Sequence, residues 1–238
     1  MRNLWIVALL PLAACQSNWE KGEAAQPSGT GASRSFAATG FTSVDLRGPD
    51  DVEVKTGGNF AVTAEGDSAV LDKLDIRVVD GTLRVGRKDS HDWSMRGDRG
   101  VKVHVVLPKL TGASVSGSGN LSADRGEGAF GASIAGSGNL SIGELRATDA
   151  DLSIAGSGDI HVAGSANKLS ASIAGSGDID AAGFTASSAD VSIAGSGSVR
   201  STVKGEASVS IIGSGDAELT GGAKCHVSAI GSGEARCS

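Results

Sequence analysis

The sequence predicts an all-β chain wound as a single parallel β-helix with coils of about nineteen residues. Three observations carry this reading: a recurring Gly-Ser-Gly triplet, period-two alternation around each copy, and a composition that suits only a narrow core. The triplet begins at Gly117, Gly136, Gly156, Gly175, Gly195, Gly213 and Gly231, at spacings of 19, 20, 19, 20, 18 and 18 residues. Around the third copy, Ala150, Leu152, Ile154, Gly156, Gly158, Ile160 and Val162 share one parity, and Asp151, Ser153, Ala155, Ser157, Asp159 and His161 share the other. One apolar and one polar face at period two is the pattern of a strand. Gly is 36 of 238 residues, Pro only 4, aromatics 3% and Tyr absent, which leaves Val, Ile, Leu and Ala to fill the interior.

A unit this short cannot bury its own apolar face, so copies must stack, and equal register between copies gives parallel ladders. At roughly 4.8 Å per coil, about ten coils make a rod on the order of 50 Å long. A β-propeller needs blades of about forty residues, whereas the copies here number seven, an odd count, and are all alike. The triplet glycines lie on the inward parity, where they add nothing to packing. Their expected role is to turn a corner at which a Cβ would collide with the neighbouring side.

Residues 36–110 alternate less regularly, through Val52 and Val54, Val62, Ile76 and Val78, Leu83 and Val85, and Val101 to Leu107. Asp80-Gly81 between two of these runs signals a hairpin. These strands are expected to cover or begin the first coil, because an open end exposes unpaired edges.

Ahead of this body, residues 1–14 have the charged start, short apolar run and small-residue end of a secretory signal, too short to span a bilayer. Leu12-Ala13-Ala14-Cys15 resembles a lipobox, which makes Cys15 the expected site of lipidation and palmitate attachment. An ordinary cleaved signal with an incidental Cys15 is the alternative. Gln16 stands where Asp marks inner-membrane retention, so the outer membrane is the expected destination, on either face. Residues 15–35, rich in Ser, Gly, Ala, Gln and Glu, read as a tether.

Phe41-Thr-Ser-Val44, Asp51-Val-Glu-Val54, Asp80-Gly-Thr-Leu83, Val103 to Pro108-Lys-Leu110 and the iterated Ser-Gly-Ser-Gly-Asn/Asp together resemble the head GIN domain family of auto-transporter adhesins. The resemblance spans residues 36–238. It implies a right-handed β-helix, a lipoprotein or secreted location, and no catalytic residues.

Charge is uneven: residues 36–110 carry 11 basic and 12 acidic side chains, residues 111–238 carry 7 and 13. An acidic repeat region repels phosphate backbones, which argues against nucleic acid as a partner. Membrane contact is expected only through the lipid, and an envelope polymer or protein is the expected ligand.

After each triplet stand Asn120, Asn139, Asp159, Asp178, Ser198, Asp216 and Glu234, which stacking aligns into a polar ladder. Neighbouring carboxylates such as Asp159 and Asp178 can share a Ca²⁺. Alternatively, Asn and Asp close the turn by bonding to nearby backbone, and then no cofactor is required. A phosphate-cradling loop needs a following helix and a Lys, which no copy offers.

A carbohydrate-active enzyme needs facing carboxylates, and Asp149, Asp151, Asp178 and Asp180 qualify by type only. With just Phe130 and Phe184 beyond residue 110, aromatic stacking on sugars is scarce. His91, His104, His161 and His226 lack metal-ligand spacing, and Arg96-Gly97-Asp98, near Trp93, lies in a charged loop. Cys225 and Cys237 share the inward parity of Val227 and Ala229, so they form either a disulfide across the last coil, which would close the open end, or two buried thiols. The expected function is a non-catalytic envelope module for adhesion, scaffolding or binding, with an enzyme or a periplasmic sensor of envelope components as alternatives.

Overall fold

In the computed structural model, which describes residues 22–88 and 100–238, the alternation becomes three parallel ladders around one apolar core. The leader, Cys15, His91, Trp93 and Arg96-Gly97-Asp98 lie outside the described residues. The strands are β1 (Pro27–Ser28), β2 (Ser33–Phe36), β3 (Ser43–Gly48), β4 (Asp51–Thr56), β5 (Ala61–Glu65), β6 (Leu74–Val79), β7 (Thr82–Arg87), β8 (Lys102–Leu107) and β9 (Gly112–Gly117). They continue as β10 (Leu121–Gly136), β11 (Leu140–Gly156), β12 (Ile160–Gly175), β13 (Ile179–Gly195), β14 (Ser198–Val203), β15 (Glu206–Gly213), β16 (Asp216–Thr220), β17 (Lys224–Gly231) and β18 (Ala235–Cys237). One helical turn, α1 (Ser68–Leu71), is capped by the Asp67 carboxylate, which accepts from the Ala69 N–H at 2.8 Å.

The first side runs β7, β3, β9, β10, β11, β12, β13, β15, β17, and along it Val85, Leu46, Val115, Ile134, Ile154, Ile173, Ile193, Ile211 and Ala229 stand in one inward column. All but Ala229 are at most 2% exposed. Each such burial contributes about 1.5–3 kcal/mol against an exposed reference. On the second side, Val103, Val52, Leu121, Leu140, Ile160, Ile179, Val199, Ala217 and Ala235 form the matching column. A third ladder, such as Leu145, Gly164 and Phe184, begins after register shifts that mark a second bend. The expected ten coils are nine by this count, so the rod is about 40 Å long at the usual strand spacing.

Each Gly-Ser-Gly is the corner between the first and second sides. The first glycine has φ between +124 and +141° in all seven copies, a region closed to residues with a Cβ. A Cβ on the third glycine meets a different obstacle: at Gly158 it would stand 1.9 Å from the Gly138 carbonyl oxygen. The sequence reading placed the collision with the neighbouring side of the same coil. The obstacle is instead the coil before, whose glycine carbonyls point into the corner. The Gly136 carbonyl, for example, accepts from both the Ser157 N–H at 2.9 Å and the Gly158 N–H at 3.2 Å.

The N-terminal segment both starts the rod and caps it. Gly48-Pro49-Asp50-Asp51 is a corner of the same kind, since Gly48 pairs with Gly117 and Val52 with Leu121. Stacking order departs from chain order here, for the β3–β4 coil lies between the later β7–β8 coil and β9–β10. Asp50 fills the place of the corner's second glycine. It is fully buried and accepts from Arg87 Nε at 2.9 Å, Arg87 Nη2 at 2.6 Å and the Val101 N–H at 3.0 Å. The outer edges of β7 and β8 are covered antiparallel by β6 and β5, with β2 on β5 and β1 on β2. Asp80-Gly81, both at positive φ, makes the expected hairpin between β6 and β7.

Two readings need correction. Residues 22–35 are not wholly tether: Ala24 bridges Arg77, the backbone of β2 covers the edge of β5, and β1 covers that of β2. At the other end, Cys225 and Cys237 form a disulfide between β17 and β18, with Cα atoms 6.5 Å apart. It does not close the coil from solvent. No later strand pairs with β17 or β18 among the described residues, so inward Val227 remains 49% exposed and Ala229 is exposed.

Candidate functional site

The ladder behind the corners is the feature the sequence displays most openly, and one side-chain oxygen of each of its Asn and Asp residues is engaged by the fold. Asp51 Oδ1 accepts from the Asn120 N–H (3.1 Å), Asn120 Oδ1 from that of Asn139 (3.3 Å), and Asn139 Oδ1 from that of Asp159 (3.0 Å). Asp159 Oδ1 then accepts from Asp178 (2.9 Å), Asp178 Oδ1 from Ser198 (2.7 Å), and Asp216 Oδ1 from Glu234 (2.9 Å). Amide groups add a second bond, Asn120 Nδ2 to Asp51 at 2.9 Å and Asn139 Nδ2 to Asn120 at 3.0 Å. Each side chain thus satisfies a backbone donor of the next coil, which is turn chemistry propagated along the rod. Ser198 interrupts the series, its hydroxyl being too short to take the same role. Among the described residues, no cluster of three or more His, Cys, Asp or Glu could hold a metal ion.

The carboxylates named for an enzyme fall into two separate groups, Asp149 and Asp151 on β11 and Asp178 and Asp180 at the corner and second side. Asp178 belongs to the corner ladder, Asp180 lies 3.6 Å from His161 on the second side, and Asp151 stands on the first side opposite Ser170. Asp149 lies opposite Lys168, which bonds Asp190 at 2.7 Å. The Lys168 pKa is raised, first by that hydrogen bond and further by the charges of Asp190, Asp149 and Asp151. His104 is 3.4 Å from Glu53, whose carboxyl is held below its ordinary value chiefly by the hydrogen bond from Lys102. Phe130 and Phe184 are core residues and offer sugars no stacking surface.

The outward columns of the first side are different. Ser114, Ser133, Ser153, Ser172, Ser192, Ser210 and Ser228 stand in one register-matched column. Ser114 Oγ is held by Asp45 at 2.7 Å, while the hydroxyls from Ser172 to Ser228 are exposed and free of the ladder bonds. Beside them run Gly131, Asp151, Ser170, Asp190 and Ser208 on one flank and Ala135, Ala155, Ala174 and Ala194 on the other. Small side chains on a straight ladder make a flat ribbon with hydroxyl groups about 4.8 Å apart.

A cleft of about 250 Å³ lies where the N-terminal coils meet the repeats, lined by Thr56, Lys109, Arg125, Glu127, Glu144 and Arg146 among others. Its cations arrive with partners, Lys109 with Glu127 at 3.3 Å and Arg146 with Glu144 at 2.6 Å. Sequence reasoning missed this cleft because its residues come from separate coils. It also missed Asp51 as the first rung of the ladder, though Asp51-Val-Glu-Val repeats the polar-apolar phase of Asn120-Leu-Ser-Ala.

The stacked coils, glycine corners and Asx ladder define a β-solenoid of the parallel β-helix class. The chain belongs to the family described as "Putative auto-transporter adhesin, head GIN domain", which matches residues 40–223. It is similar in structure to a putative adhesin from Bacteroides fragilis, with TM-score 0.77 and 19% identity over 87% of this chain and 96% of that one. A putative lipid binding protein from Parabacteroides distasonis gives TM-score 0.68 and 22% identity, over 87% of this chain and 96% of the other. A putative adhesin from Parabacteroides merdae gives 0.66 and 21%, over 87% and 95%. Comparison with curated proteins found no match.

Proposed function

We propose that the protein is a non-catalytic adhesion module of the cell envelope, lipid-anchored to the outer membrane through Cys15, which binds a hydroxyl-rich polymer along the first side of the rod. The observation that carries this reading is the exposed serine column, whose groups repeat in a straight line. A catalytic site needs groups that converge on one bond, whereas a periodic ribbon suits a periodic ligand. The flanking Asp151 and Asp190 disfavour polyanions, so the ligand is a neutral or cationic envelope polymer. The family description supports adhesion over chemistry.

Palmitate labelling and protease accessibility on intact cells test the placement. Label incorporated by the native chain and lost in Cys15→Ala, together with cleavage of the body from outside, is the expected result. Complete protection of the body on intact cells overturns the adhesin reading.

A further inference from the structure

We propose that two copies of this chain join end to end through their C-terminal coils, β17 pairing antiparallel with β17 of the second copy about a two-fold axis. Three of the described large apolar residues are exposed, Ile212 (58%), Val227 (49%) and Ile230 (69%), and all lie in the last two first-side strands. Ile212 and Ile230 continue the outward column that is alanine in the four preceding coils, Ala135, Ala155, Ala174 and Ala194. The change from Ala to Ile occurs only beside the open end. Ile212 and Ile230 stack on one another in register, and the apolar face they present beside the open end is covered further only by a group from outside the chain.

The occupant follows from which edges remain free. At the N-terminal end β6 and β5 lie antiparallel over the edges of β7 and β8, so the parallel ladders of a second copy cannot continue there in head-to-tail order. The C-terminal edges of β17 and β18 are open among the described residues, and the Cys225–Cys237 disulfide holds them in place without covering them. A free edge whose best partner is the same edge on another copy gives an isologous, closed dimer.

Pairing about Ala229 sets Ala229 against its counterpart, Val227 against Gly231 of the second copy, and Ser228 against Ile230 of the second copy. The same register carries Lys224 toward the corner holding Glu234 of the second copy, a carboxylate that Arg236 of its own chain already holds at 3.0 Å, so Lys224 adds a second cation to it. The coil end measures roughly 25 Å along β17 by about 20 Å across, or about 500 Å² per copy. About 1,000 Å² in total reaches the lower bound for a specific interface.

Sedimentation equilibrium of the full-length chain in density-matched detergent tests this. A dimer is expected, with the doubly substituted Ile212→Lys, Ile230→Lys chain dimerising at least tenfold more weakly. Its unfolding midpoint, measured at a concentration where both chains are monomeric, is expected to match the native one, since both side chains are exposed. Ser141→Lys, exposed on the second side far from the end, is expected to leave dimerisation unchanged. A chain that remains monomeric at concentrations on the order of 100 μM, or a dimer indifferent to the double substitution, overturns the proposal.

Discussion

Gly158→Ala puts the corner geometry to a quantitative test, because one added carbon meets a backbone atom that cannot turn aside. The new Cβ would stand 1.9 Å from the Gly138 carbonyl oxygen, and real Cβ contacts stay beyond 3.0 Å, so the two coils must part by 3.0 − 1.9 = 1.1 Å. The corner bonds Ser157 N–H to Gly136 O at 2.9 Å and Gly158 N–H to Gly136 O at 3.2 Å would then exceed hydrogen-bonding distance. Two such bonds contribute about 1 kcal/mol each. Loosened packing of Ile134 against Ile154 adds on the order of 1–2 kcal/mol. The expected loss is therefore about 3–4 kcal/mol, a large share of the about 5–15 kcal/mol that holds a domain folded.

Gly131→Ala is the matched control, for a Cβ there meets nothing within 4 Å and φ lies outside the positive region. It is expected to be neutral or stabilising by up to about 1 kcal/mol. Equilibrium urea unfolding followed by circular dichroism reads both. Because a solenoid is held by nearest-neighbour contacts, the mid-rod substitution is also expected to broaden or split the transition. Midpoints for the two variants that agree within about 0.5 kcal/mol would refute the argument that coil stacking imposes the glycines.

Four further outcomes are expected. Asp178→Ala orphans the Ser198 N–H and costs about 1 kcal/mol, whereas Asp178→Asn keeps an acceptor and costs less than half of that; neither added Ca²⁺ nor a chelator moves the native midpoint. Asp50→Ala strips the Val101 N–H and Arg87 of a buried partner and lowers stability by about 3–5 kcal/mol in the same denaturation assay. Mass spectrometry of the unreduced protein after alkylation finds neither Cys225 nor Cys237 modified, and reduction costs about 3 kcal/mol for a loop of this length. Glu53 titrates below its ordinary value of 4.5 because Lys102 favours its charged form. A lowered folded-state pKa contributes stability that is present above pH 4.5 and lost as pH falls through the folded value, and NMR titration of Lys102→Ala should show the Glu53 pKa rising toward 4.5.

What was legible in the sequence was whatever the stacking repeats. Gly-Ser-Gly recurs because every coil presents the same carbonyls to the next, and Ile134, Ile154, Ile173 and Ile193 recur because every coil faces the same neighbours. The first corner escaped notice because Pro49 and Asp50 replace the serine and second glycine. Asp50 is tolerated there because Arg87, from a coil later in sequence but earlier in the stack, compensates its buried charge. Period alone cannot reveal that exchange of order, which depends on a long-range pairing. The cleft at Lys109, Arg125 and Arg146 was illegible for the same reason, its walls being contributed by different coils.

The serine column was visible as parity but not as a surface, since alternation says which way Ser172 points and not what else occupies its hydroxyl. The Asn/Asp ladder shows the converse. Its residue types suggest cation ligands, and period alone does not show that one oxygen of each residue serves a backbone donor one coil away.

The division between structural corners and a binding ribbon is tested most directly by one comparison of binding to immobilised envelope polysaccharides. Ser172→Glu with Ser192→Glu places negative charge on the exposed column, and is expected to abolish binding while leaving the unfolding midpoint within about 0.5 kcal/mol of native. Asp178→Asn, in the corner ladder, is expected to bind as the native chain does. Binding that survives the serine substitutions and is lost in Asp178→Asn would contradict the account.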